Sequence, residues 1–249
     1  MKFIYSCICK IYCLFSTYIE DIFLKKFKVD NDLKKNGYFV IRNELNYILD
    51  IYKSKKIEIN KYLKKLIFSK EEINKLLLNI FVENNLKDKI TELTGFNYSV
   101  DFFTAYETIS IPIEEKELSW YANQPHRDKP YSKNTLKLII PLQRIEEQNG
   151  PMEILNIEST KYFQKNKKNI NFFKFIGNPN DIFIFKPNLC LHKAGIPEKN
   201  KNRIQMMLQL NPAKKWCFNE EIYNFQKIRE PKFTSVRYLF NNKLNFFKS

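Results

Sequence analysis

The sequence predicts an α+β domain with a mainly β core: helices first, strands after them, and one closing helix. Three observations carry this. Between Leu45 and Leu93 the chain is lysine-rich with apolar residues at helical spacing, as at Ile73, Leu76, Leu77, Ile80 and Phe81. After Gly95 the pattern changes to short apolar or alternating runs separated by turn residues, the mark of closely spaced antiparallel strands. A chain of 249 residues, 44% of them hydrophobic, suffices to bury one core with a small appendage.

Taken in order, the first 28 residues read "MKFIYSCICKIYCLFSTYIEDIFLKKFK". Lys10, Glu20 and Asp21 interrupt the apolar run, which is too short to span a bilayer, and no small-residue cleavage site follows it. At helical period Ile4, Ile8, Ile11, Phe15, Ile19, Ile22 and Phe23 share one face. That face is expected to cap the domain core, the competing reading being a helix that lies in a membrane interface. Glycine is scarce, five in all, so each one is informative. Gly37 divides a helical pattern from the strand-like run Tyr38 to Ile41. Two or three helices are expected from Leu45 to Leu93. Strands follow in "NYSVDFFTAYETISI", "TLKLIIPLQ", "GPMEIL", "DIFIFKP", "LCLHKAG" and "RIQMMLQLNP", and "SVRYLFNNKLNFF" reads as the closing helix. The organisation is therefore an apolar, basic helical extension over 1–30 and one domain over 31–249. That domain divides into a helical part 31–95, a β core 96–212 and a C-terminal tail 213–249.

Charge is less informative than it looks. A net +15 would suit an acidic partner, but thirty-six of the forty-two basic residues are lysines spread over every segment. Nucleic-acid binders concentrate charge on one face and use arginine forks, so no nucleic-acid partner is expected. Cysteine is odd in number: Cys7, Cys9 and Cys13 lie near the start, Cys190 and Cys217 far away. That spacing is no disulfide framework and has no zinc-like second pair, so buried thiols in a reducing, cytoplasmic setting are expected. The sequence sets no oligomeric state.

The chemistry lies in two histidines, the only ones in the chain. His126 and Asp128 stand two apart in "NQPHRDKPY", so on an extended segment both side chains point to one face. His192 follows on a separate predicted strand. Two imidazoles and a carboxylate form the facial triad of non-haem Fe(II) oxygenases, which leaves positions open for a co-substrate and dioxygen. Arg203 comes eleven residues after His192, at the start of the next run. If His192 ends one strand and Arg203 begins the next, the turn returns the guanidinium beside the metal. A buried guanidinium requires an anion, and the distal carboxylate of 2-oxoglutarate is one.

With these pieces in place, the segment from about Gly37 to Pro212 resembles the phytanoyl-CoA dioxygenase family of Fe(II)/2-oxoglutarate-dependent oxygenases. The matching stretches are "NGYFVIR", "PHRD", "NGPMEIL", "NDIFIFKPNLCLH" and "NR". The resemblance implies a double-stranded β-helix (jelly-roll, cupin-like) fold. It implies His126, Asp128 and His192 as catalytic iron ligands and Arg203 as the 2-oxoglutarate anchor. It also implies hydroxylation of a small organic molecule, with O2 consumed and succinate and CO2 released. The sequence departs from the family in two places. "LNIESTKYF" stands where members continue into Pro-Gly-Ser-His, and Ala194 stands where many carry a hydroxyl residue that helps hold 2-oxoglutarate. Tyr106 and Lys137 are the candidates for the missing donor. Trp120 and Tyr121 are read as core aromatics, with a pocket wall as the alternative. Two other readings stay open: a catalytically inactive binding protein on the same fold, and a hydroxylase of lipids or glycans held at a membrane surface by its apolar N-terminal helix and its aromatic, basic C-terminus.

Overall fold

The computed structural model describes residues 2–46, 55–128, 132–166, 170–218 and 245–246. Helix α1 (Lys2–Phe23) leads into α2 (Asp32–Asn36), β1 (Tyr38–Ile41) and a hairpin of β2 (Lys55–Asn60) and β3 (Leu63–Ile67). Helices α3 (Lys70–Leu78) and α4 (Leu86–Thr94) come next, joined by one wide helical turn, Asn79–Glu83. The remaining chain is mostly strand: β4 (Asn97–Ile109), β5 (Leu136–Pro141), β6 (Met152–Ile154), β7 (Phe173–Lys174), β8 (Ile182–Phe185), β9 (His192–Ala194), β10 (Asn202–Ala213), β11 (Cys217–Phe218) and β12 (Asn245–Phe246). Helix α5 (Ile157–Asn166) lies between β6 and β7.

Two sheets result. The larger runs β1-β8-β5-β10-β4-β11-β12, with β3 on the other half of the β4 edge and β2 beyond it. The smaller is β7-β6-β9. Period-two alternation makes the larger sheet a wall between two apolar compartments. Leu138, Ile140, Ile182, Ile184, Met206 and Leu208 face the helices and pack with Ile73, Leu77, Ile80 and Phe81. Their neighbours Ile139, Phe183, Phe185 and Met207 turn the other way, to meet Met152 and Ile154 of the smaller sheet and Phe175 just past β7. Facing sheets with helices on the outer side are the double-stranded β-helix that the sequence led us to expect.

Each predicted strand after Gly95 is present. Helix α3 is started by Ser69 and Glu72, which form a reciprocal capping box. Three expectations need correction. Residues 55–67 form a hairpin, not a helix: β3 pairs with β4 through Leu63↔Thr108 and Leu66↔Ala105, and that sheet edge outweighs the helical propensity of lysine. In the proposed closing helix, Asn245 and Phe246 are strand, paired with Phe218 and Cys217, and the rest lies outside the described residues. Finally, the apolar face of α1 does not cap the core. Cys13, Ser16, Glu20 and Leu24 are buried while Ile11, Phe15, Ile22 and Phe23 face outward. The body of the protein offers this helix hydrogen-bonding groups: Asn134 Nδ2 donates to Glu20 at 3.1 Å, Ser132 Oγ donates to the same carboxylate, and Lys133 N donates to Thr17 Oγ1 at 3.0 Å. Among the described residues no helix is long and apolar enough to cross a membrane.

Candidate metal centre

His126 and His192 meet although sixty-six residues separate them. Each backbone N–H donates to the other's carbonyl at 2.9 Å, a single antiparallel bridge at the edge of the smaller sheet. His192 opens β9 rather than ending a strand, and residues 195–201 then carry the chain across to β10 in the larger sheet. Asp128 is positioned by its own N–H, which donates to Pro187 O at 3.1 Å.

The rings are held for ligation. Each Nδ1 lies 2.9 Å from a backbone carbonyl, Gln124 O for His126 and Cys190 O for His192. A carbonyl can only accept, so Nδ1 carries the proton and the lone pair stays on Nε2. Both Nε2 atoms face Asp128 Oδ1, at 3.6 and 3.7 Å. One ligand atom from each residue falls within 4.8 Å of the others, a spacing that one ion can span. Two neutral imidazole nitrogens and one carboxylate oxygen fit a divalent transition metal with open positions.

The electrostatics agree with ligation. Burial alone would raise the Asp128 pKa, but the Lys137 ammonium 2.5 Å away and His192 more than offset it, holding the carboxyl well below its usual range. Burial, together with the neighbouring His192, lowers the His126 pKa and so favours the neutral ring a metal requires. Lys137 is thus engaged with Asp128, the metal-side carboxylate.

The two histidines line a cavity of ≈ 240 Å³ whose walls include Phe102, Thr104, Tyr106, Tyr121 and Met207. Ala194 lines it as well. Tyr121 is therefore a pocket wall, while Trp120 stacks edge-on against Tyr62. Gln205 Nε2 donates to Tyr106 Oη at 2.6 Å, so the phenol is already in use as an acceptor.

Arg203 lies on the same strand face as Gln205 and Met207, which line the cavity, and it is completely buried. Its Nη1 donates to Gly150 O and to Gly195 O, the latter at 3.0 Å. The two glycines allow this: a Cβ on Gly195 would meet Pro151 O at 2.3 Å, and one on Gly150 would meet Ile196 C at 2.4 Å. The other side of the fork is unmet. Among the described residues Nε and Nη2 of Arg203 have no partner, and neither does the buried Thr108 Oγ1. Thr108 stands directly opposite Arg203 in the β4–β10 register, so the two side chains share a face. Two N–H donors and a hydroxyl without partners, deep in one wall, make a receptor for a carboxylate. Sequence reading missed Thr108. Its parity with Tyr106 was visible, but its pairing with Arg203 exists only in the register.

No family model matches this sequence, and neither does any curated protein. Solved structures do. The chain superposes on SnoN, a non-heme alpha ketoglutarate dependent epimerase from nogalamycin biosynthesis, with a TM-score of 0.56 and 10% identity, over 87% of this chain and 95% of that one. A second SnoN structure, in complex with Fe3+, alpha ketoglutarate and nogalamycin RO, gives 0.54 at 10% identity, over 87% and 96%. HygX from Streptomyces hygroscopicus, with nickel and 2-oxoglutarate bound, gives 0.49 at 6% identity, over 74% and 88%. At such identities the likeness to SnoN establishes the fold.

Proposed function

We propose that this chain is an Fe(II)- and 2-oxoglutarate-dependent oxygenase of a small organic molecule, similar to the phytanoyl-CoA dioxygenase family. The observation that carries the reading is the pairing of two half-built receptors: Nε2, Nε2 and a carboxylate for a metal at the cavity, and Arg203 with Thr108 for an anion, on the strand faces whose neighbours Gln205 and Tyr106 line that cavity. SnoN, on the same fold, holds iron and alpha ketoglutarate together.

His126, His192 and Asp128 would hold the metal, and Arg203 Nε and Nη2 would donate to the distal carboxylate of 2-oxoglutarate. The Thr108 hydroxyl would donate to the same carboxylate, replacing the hydroxyl that Ala194 lacks. When bound, iron supplies the site for dioxygen and the oxidising power to break a C–H bond. The balanced outcome is R–H + 2-oxoglutarate + O2 → R–OH + succinate + CO2. Lys137 keeps Asp128 ionised, and the Gln124 and Cys190 carbonyls keep both Nε2 lone pairs directed at the site. Phe102, Tyr121 and Met207 limit water entry and hold the substrate's carbon skeleton. Hydroxylation is the default product because Asp128 fills the place that a halide would take.

The test is anaerobic titration of purified protein with Fe(II) and then 2-oxoglutarate, followed in the visible spectrum. A weak charge-transfer band is expected for wild type, absent in His126→Ala and weakened in Arg203→Leu. A folded wild type with no band would refute the catalytic reading and leave a binding protein on an oxygenase fold.

A further inference from the structure

Helix α1 is mounted the wrong way round for a soluble helix. Amphipathic helices bury their apolar stripe. Here Ile11, Leu14, Phe15, Tyr18, Ile22 and Phe23 are 51–69% exposed, while Ser16 and Glu20 are buried against the domain. The exposed set is a stripe: positions 11, 14, 15, 18 and 22 fall on one side of the helix, and the buried positions 13, 16, 20 and 24 on the other. Lysines bracket it, with Lys10 exposed at one end and Lys26 and Lys28 at the other, next to the exposed Phe27. The nearby Asp21 is bridged by Lys25 at 3.6 Å. No described residue covers the stripe.

We infer that α1 is an interfacial anchor whose apolar stripe enters the surface of an anionic lipid bilayer. Three features favour that occupant. The stripe from Ile11 to Ile22 is about 17 Å long at helical rise, suited to a helix lying in the plane of the interface. Its bracketing charge is positive on a chain of net +15, which complements acidic headgroups. The competing covers lack that complement. A second copy would bring lysines against lysines, and the chain's own residues 219–249 carry more basic than acidic side chains. The helix is also fastened well enough to act as a handle. Glu20 is held by Ser132 and Asn134, and Lys26 N donates to Gly95 O at 2.7 Å. The inference is independent of the catalytic reading.

Flotation of the full-length protein with phosphatidylcholine vesicles, with and without phosphatidylserine, tests it. Wild type is expected to bind the anionic vesicles at least about tenfold more strongly than the neutral ones, and binding should fall with salt. Phe15→Ser with Ile22→Ser should lower binding at least about tenfold, and Lys26→Glu with Lys28→Glu should abolish the preference for acidic lipid. Both pairs are exposed, so unchanged thermal melting is the control on folding. Failure of wild type to float, or equal flotation of the serine variant, overturns the proposal. So does a concentration-dependent dimer that the serine variant breaks in the absence of lipid. Vesicle binding that appears only after removal of residues 219–249 would assign the stripe to that segment instead.

Discussion

Thr108 is the residue on which the anion site turns. Its hydroxyl is buried and has no partner among the described residues, opposite a guanidinium that is also half-paired. Thr108→Val keeps the shape and removes the donor, so the KM for 2-oxoglutarate is expected to rise roughly tenfold, the equivalent of about 1–2 kcal/mol, while Fe(II) affinity stays unchanged. Steady-state kinetics with chelator-competition measurement of iron binding checks both halves. Lys137 works on the other receptor. Asp128 has its carboxyl depressed in the fold below the ordinary 3.8, so it contributes stability that is present above that value and lost as pH falls through the folded pKa. Lys137→Met removes the ammonium that lowers it. Acid unfolding of the metal-free variant, followed by tryptophan fluorescence, should therefore begin at higher pH than in wild type.

At the scale of elements, each strand of the larger sheet divides its side chains between two compartments. Phe183 of β8 stacks on Phe175 at 4.9 Å and on Phe185 at 5.5 Å, and is fully buried. Phe183→Ala should cost about 3–5 kcal/mol in denaturant unfolding, because the rings of Phe175 and Phe185 cannot close the void. The two glycine loops are the second element-scale device. Gly195→Ala would drive a methyl to 2.3 Å from Pro151 O, within backbone that cannot yield easily. The loops must separate and the Gly150 and Gly195 carbonyls leave Arg203 Nη1. The expected result is weaker 2-oxoglutarate binding with an intact metal site, read as loss of the charge-transfer band while Fe(II) affinity is retained.

At the scale of the whole molecule, Arg203 is a buried guanidinium with two donor nitrogens that no described residue meets, which is a cost in stability. Its two receptors sit on different sheets: Arg203 on β10 of the larger sheet, His192 on β9 of the smaller. On the proposed function, ligands that engage both would tie the two sheets together. Thermal melting should rise when Fe(II) and 2-oxoglutarate are added together, each contributing about 2.7 kcal/mol of stability at a hundredfold excess over its Kd. Arg203→Leu should lose the 2-oxoglutarate-dependent part of that rise and keep the metal-dependent part.

Periodicity and residue type alone led to the strands after Gly95, to His126 and Asp128 on one face, to His192 on a later strand and to Arg203 as a buried cation. These are local properties: alternation at period two and the scarcity of histidine are legible without knowing what packs on what. Partnership was not legible. That Thr108 faces Arg203, that Lys137 serves Asp128, and that residues 55–67 extend a sheet edge all depend on register between distant segments. The orientation of α1 depends on the same kind of information. Its sequence defines an apolar and a polar side, but which one meets the protein is decided by what residues 132–134 offer, hydrogen-bonding groups rather than an apolar groove. Side-chain period assigns faces within an element, and only the tertiary contacts, made by chain tens to more than a hundred residues away, assign those faces to their neighbours.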